Sequence, residues 1–110
     1  MQQVLLCHTH DIQQGQAKGI TVGEHALFVV HYQGEFFAYR NQCPHRQIEL
    51  EWMPDQFFDS AGDYIQCATH GALFLPATGR CIAGPCQNQS LIPVTIERMG
   101  DDLYTDLDAL

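Results

Sequence analysis

The chain has 110 residues, 45% apolar and only 16% charged, which fits one domain with one modest core and excludes a disordered acidic polymer. A net charge of −8 without an offsetting basic patch argues against nucleic acid and anionic membranes as partners. No stretch approaches the roughly 20 apolar residues that a membrane span requires. In chain order, short apolar runs with period-two character fall at residues 4–6, 19–22, 26–32, 35–40, 64–66, 72–75, 92–97 and 103–106. Gln33-Gly34 and Met99-Gly100-Asp101-Asp102 sit between such runs and predict hairpin turns. No window carries a helical period, and there is no linker, repeat or low-complexity segment. The expectation is a single all-β domain over residues 1–110.

The least regular stretch is 49–63, which reads as an extended loop with aromatic anchors at Trp52, Phe57 and Phe58. Those rings are expected to pack beneath the loop rather than touch a ligand. A loop of this length is usually functional or disordered, and two short motifs that flank it point to the first: Cys43-Pro44-His45 and Cys67-Ala68-Thr69-His70. Each sets a thiolate and an imidazole a few residues apart in a Gly/Pro context that suits a tight loop. Four such donors suit a tetrahedral metal or a two-iron cluster. Structural zinc sites usually pair Cys with Cys and His with His. Alternating C-x-H and C-x2-H instead fits a cluster whose irons differ in ligands, each loop giving one Cys to one iron and one His to the other.

C-P-H followed at a distance by C-x-x-H-G resembles the Rieske iron–sulfur proteins, and in particular the small Rieske-type ferredoxins. The resemblance spans roughly residues 15–106, with the two motifs in order and a somewhat long gap between them. It implies stacked antiparallel sheets, with a smaller cluster-binding subdomain at about residues 41–77. It also implies one [2Fe–2S] cluster, with Cys43 and Cys67 on the inner iron and His45 and His70 on the outer. Neutral imidazoles in place of two thiolates raise the reduction potential. Electrons would then enter and leave through the histidines at the exposed tip. Pro44 would stiffen the first loop, and Gly71 would let the backbone turn closely beside the cluster.

High-potential members of that family carry a further Cys in each loop, joined as a disulfide. The matching positions here are Ile48 and Thr69, so that bond cannot form. Where those members place a Ser and a Tyr that donate to the sulfurs, this chain has Ala72 and Phe74, which offer no side-chain donor. Fewer donors lower the potential, so the resemblance points to a lower-potential carrier of the ferredoxin type. Exposed imidazole ligands would also make the midpoint potential fall as pH rises.

The function implied is one-electron transfer between a flavin-containing reductase and a terminal oxygenase, with no catalysis by this chain alone, since it is too short to add a catalytic iron domain. The rivals are a small subunit of a nitrite-reductase-like enzyme and a zinc-stabilised structural module. Five cysteines without a recognisable signal peptide point to ligation in the cytoplasm rather than to secreted disulfides. Cys81 and Cys86 follow the second motif, around a turn at Gly84-Pro85. They are expected to be small buried residues rather than a redox pair, and Cys7 an ordinary strand residue. His8 and His10 lie two apart and share a face if residues 7–11 are extended, which with Asp11 could make a surface metal site, but no further ligand is in view. His25 and His31 read as polar residues at strand ends.

Overall fold

A computed structural model describes residues 3–42, 57–59, 62–67, 72–84, 89–106 and 108. Its ten strands are β1 (Gln3–His8), β2 (Ala17–Val22), β3 (His25–Tyr32), β4 (Glu35–Arg40), β5 (Ile65–Gln66), β6 (Leu73–Phe74), β7 (Cys81–Ala83), β8 (Pro93–Val94), β9 (Ile96–Met99) and β10 (Asp102–Asp106). A 3-10 turn, Thr9–Asp11, follows β1. All pairings are antiparallel and build three sheets, in the orders β1-β10-β9, β2-β3-β4-β8 and β5-β6-β7. No helix among the described residues is long and apolar enough to cross a membrane.

The layering follows from β3. Its central residues Leu27, Phe28, Val29 and Val30 are all essentially inaccessible, so the strand is covered on both faces. Phe28 and Val30 point into one apolar cluster with Phe57, Ile65, Phe74 and Leu91. Leu27 and Val29 point into the other, with Leu6, Ile12, Val94 and Leu103. The β2-β3-β4-β8 sheet is therefore the middle layer, between β1-β10-β9 and β5-β6-β7. A central strand of this kind shows a continuous apolar run where a one-sided strand alternates, as Ala26-Leu27-Phe28-Val29-Val30 does.

The expected hairpins form, and each has a local cause. Gln33 and Gly34 both take positive φ, 52° and 81°, as a two-residue turn matched to strand twist requires. The Gly100 turn joins β9 to β10 in the register Met99↔Asp102. The run at 92–97 proves to be two strands, because the chain leaves β4 after Val94 and pairs with β10 from Ile96. Strand β7 had no alternation signal, since it is only three residues long.

Two features of β1 also depart from simple alternation. A register shift between Leu5 and Cys7 lets the adjacent Leu6 and Cys7 both face the core, as a bulge permits. The strand then ends at His8, so His8 and His10 do not lie on one extended face. Instead their rings stack with centroids 5.3 Å apart. His8 Nδ1 is 2.5 Å from Asp102 Oδ1, and the His8 N–H donates to Asp11 Oδ2 at 2.9 Å. Among the described residues no group of three or more His, Cys, Asp or Glu side chains could hold a metal ion. His25 opens β3 as expected, whereas His31 takes a packing role, stacked on Phe36 at 4.2 Å and bonded to the Ile12 carbonyl at 2.9 Å.

Burial has a pH consequence. Desolvation, with the Asp11 charge adding to it, pushes the Cys7 thiol from 9.0 up to about 11, and burial alone pushes Tyr39 from 10.0 up to about 12. Between pH 9 and 11 the unfolded chain has lost the Cys7 proton while the folded chain retains it. Stability contributed by the neutral thiol is thus complete below pH 9 and is lost as pH rises through that window, on the order of 1–2 kcal/mol. Cys7→Ala should flatten this segment of a stability–pH curve measured by urea denaturation.

Candidate functional site

The four sequence-derived donors fall unequally on the described structure. Cys43 and His45 follow β4, and His70 lies between Cys67 and Ala72; all three are outside the described residues. Cys67 is described, and it sits at the end of β5 with no solvent exposure. Its N–H donates to the Ala72 carbonyl at 2.9 Å, which continues the β5–β6 pairing by one more rung. The segment containing His70 therefore begins and ends at one hydrogen-bonded pair.

The approach to the first motif is equally well fastened. Asn41 is buried, and its N–H donates to the Ala26 carbonyl at 2.9 Å; the Gln42 N–H donates to the Arg40 carbonyl at 2.9 Å. The middle sheet is thus held up to the residue before Cys43.

The end of the long loop is more ordered than alternation predicted. Phe58 and Ile65 form an antiparallel bridge, the Gln66 N–H donates to the Phe57 carbonyl at 2.8 Å, and Asp59 N–H donates to the Tyr64 carbonyl at 2.8 Å. The turn is closed by Asp59, whose Oδ1 accepts the N–H groups of Asp63 and Tyr64 at 3.0 and 3.3 Å. That is the way an Asp side chain mimics backbone in a turn. Phe57 is wholly buried and Phe58 packs against the same cluster, as expected of loop anchors. Trp52 lies outside the described residues.

Around Cys67 the surroundings are apolar. Ala72, Phe74 and Cys81 share its cluster, and neither Ala72 nor Phe74 brings a side-chain donor. Cys81 is buried as expected, with its thiol donating to the Ala83 carbonyl at 3.3 Å; Cys86 lies outside the described residues. The Cys67 sulfur has no hydrogen-bond partner among the described residues. A buried soft donor at a strand end, flanked by a segment carrying an imidazole, fits an iron–sulfur centre. Its chemistry alone would also accept zinc.

Sequence reasoning gave Gly84 only a turn. The structure shows why no larger residue fits: φ is +98°, and a Cβ there would lie 2.8 Å from Ala72 Cα. The chain leaving β7 is thereby pressed directly onto Ala72, the residue that pairs with Cys67. Gly84→Ala should cost roughly 1–3 kcal/mol from the backbone conformation alone, with the clash added. A lowered melting temperature together with lowered iron content would show it; an unchanged melt would contradict it.

Comparison with known proteins agrees with this arrangement. The model of the Rieske [2Fe-2S] domain family matches residues 2–100. The ferredoxin component of the p-cumate 2,3-dioxygenase system of Pseudomonas putida is 32% identical over 106 residues, covering 94% of this chain and 85% of that protein. Among solved structures, the ferredoxin of Sphingomonas yanoikuyae B1 superposes with a TM-score of 0.78 at 25% identity, covering 96% and 98% of the two chains. A chain from a complex of reduced oxygenase and oxidized ferredoxin in carbazole 1,9a-dioxygenase superposes at 0.75 with 26% identity, covering 94% and 91%. With its family model, its relatives and its all-β architecture in agreement, the chain belongs to the Rieske [2Fe–2S] domain family, and a cluster of that type is its cofactor.

Proposed function

We propose that this protein is a one-electron carrier of the ferredoxin type, serving a terminal oxygenase and recharged by a flavin-containing reductase. The observation that carries the reading is the pairing of Cys67, fully buried at the end of β5, with a chain whose relatives include the ferredoxin component of a dioxygenase system. In this reading Cys43, His45, Cys67 and His70 hold the cluster, Cys43 and Cys67 on the inner iron and the histidines on the outer. When bound, the group supplies one reversible electron at a potential raised by its imidazoles.

The protein's own part, among the described residues, is to hold Cys67 on hydrogen-bonded backbone among apolar side chains and to fasten the chain up to Asn41 ahead of the first motif. The cluster-binding subdomain is set at about residues 41–77 within a single domain 1–110. Its third strand, β7, comes from just beyond that span. Ala72 and Phe74 give the sulfurs no side-chain donor, which favours a potential away from the top of the Rieske range of about −150 to +300 mV. The net charge of −8 suits a basic docking surface on the partner. A reducing cytoplasm suits Cys7 and Cys67, neither of which forms a disulfide.

Iron and acid-labile sulfide analysis with EPR of the dithionite-reduced protein tests this reading. Expected are two irons and two sulfides per chain, as for the family's [2Fe–2S] cluster, and a spectrum of mixed His/Cys ligation. A colourless protein containing zinc would overturn it.

A further inference from the structure

Tyr39 joins the strand that leads into the first motif to the turn that follows β6. It lies on β4, four residues ahead of Cys43, so its strand leads directly into the first motif. Its hydroxyl donates to the Pro76 carbonyl at 2.7 Å, across 37 positions of sequence. Pro76 opens the turn from β6 to β7, and β6 begins just after the segment that carries Cys67 and His70. The same ring packs closely against that turn. A Cβ at Gly79 would fall 2.7 Å from Tyr39 Cε1, and Leu91 Cβ would lie 3.3 Å from it.

The contact is dry. Tyr39 is 2% exposed, Pro76 is fully buried, and the ring leans on Phe28 at a centroid distance of 5.8 Å. The turn is itself rigid: the Gly79 N–H donates to the Leu75 carbonyl at 2.7 Å, and the Leu91 N–H donates to the Gly79 carbonyl at 2.8 Å. A buried hydroxyl between two rigid bodies fixes their relative position, because breaking it leaves the Pro76 carbonyl without its donor in an apolar setting. Burial also keeps Tyr39 protonated, and so a donor, throughout the ordinary pH range.

We propose that Tyr39 is a positioning residue for the cluster, its Oη–Pro76 hydrogen bond setting the β6–β7 hairpin, and with it the second ligand loop, against the strand that carries the first. This rests on the ligand assignment proposed above. The test compares Tyr39→Phe and Gly79→Ala with Thr105→Val in cluster-loaded protein. Thr105 also buries a hydroxyl, which donates to the Thr95 carbonyl at 2.8 Å, but it does so in the β1-β10-β9 sheet, which holds neither Tyr39 nor Pro76.

Cluster bleaching by a chelator well below the melting temperature, hydrogen exchange at residues 73–83, and the reduced EPR spectrum are the readouts. Tyr39→Phe is expected to bleach about tenfold faster than wild type, to exchange faster at 73–83 only, and to broaden the EPR signal. Gly79→Ala, which opens the same contact from the other side, should follow it. Thr105→Val should bleach at the wild-type rate despite a similar fall in melting temperature. If wild type loses its colour on His70→Ala yet Tyr39→Phe and Thr105→Val behave alike, this proposal is overturned and the ligand assignment stands. If the colour survives His70→Ala, both are overturned.

Discussion

Cys67→Ala, His45→Ala and His70→Ala should each reduce bound iron and acid-labile sulfide from two per chain, the content of the family's cluster, to near zero. Cys7→Ala and Cys81→Ala should leave both unchanged. The contrast is the informative part, because all three described cysteines are buried and differ little in apolar packing. Cys7 sits in the cluster of side chains between the outer β1-β10-β9 sheet and the middle sheet, on the far side of the middle layer from Cys67. Cys81 shares the Cys67 cluster, but its thiol is turned to the Ala83 carbonyl.

Losing one ligand would leave an iron short of a donor, and protein ligation is what holds such clusters. The folded state would lose the stabilisation that a ligand bound only to that state confers. Melting temperature should therefore fall with the iron, and more for Cys67→Ala than for Cys81→Ala. Iron retained by Cys67→Ala would remove the basis of the ligand assignment.

Much of this architecture could be read from the residues, for reasons that differ along the chain. Gln33-Gly34 specified a hairpin because Gly34 accepts positive φ freely and two apolar runs flank the pair, and the two-residue turn sets the register Tyr32↔Glu35 and with it His31↔Phe36. The pair of Cys–His motifs was legible because their residue types and spacing are rare together. What escaped reading was non-local. Strand β7 is three residues long and exists because β6 and the 89–91 segment flank it, with Cys81 N–H donating to the Gln89 carbonyl at 2.9 Å. The break at Thr95 has no local signal either; it arises where the chain exchanges one sheet for another. Tyr39 looked like any alternating residue of β4, and only the fold brings Pro76 to its hydroxyl.

The aromatic pair in the apolar cluster that contains Cys67 should carry the largest single packing energy. Phe28 and Phe57 are both fully buried and stack at 4.3 Å, with ring planes 10° apart. Phe28 belongs to the middle sheet, whereas Phe57 lies within the 49–63 stretch and accepts the Gln66 N–H on its carbonyl. Their contact therefore fastens the layer that bears Cys67 to the layer that leads into Cys43. Truncating either to alanine removes a buried ring and leaves a cavity, at about 3–5 kcal/mol. Domains of this size hold roughly 5–15 kcal/mol in total, so either change consumes much of it. Because the two rings share one cavity, the double variant should cost less than the two single costs combined. Urea denaturation of wild type, Phe28→Ala, Phe57→Ala and the double variant measures that coupling. Strict additivity would mean that the rings act separately, and that the cluster-bearing layer is held elsewhere.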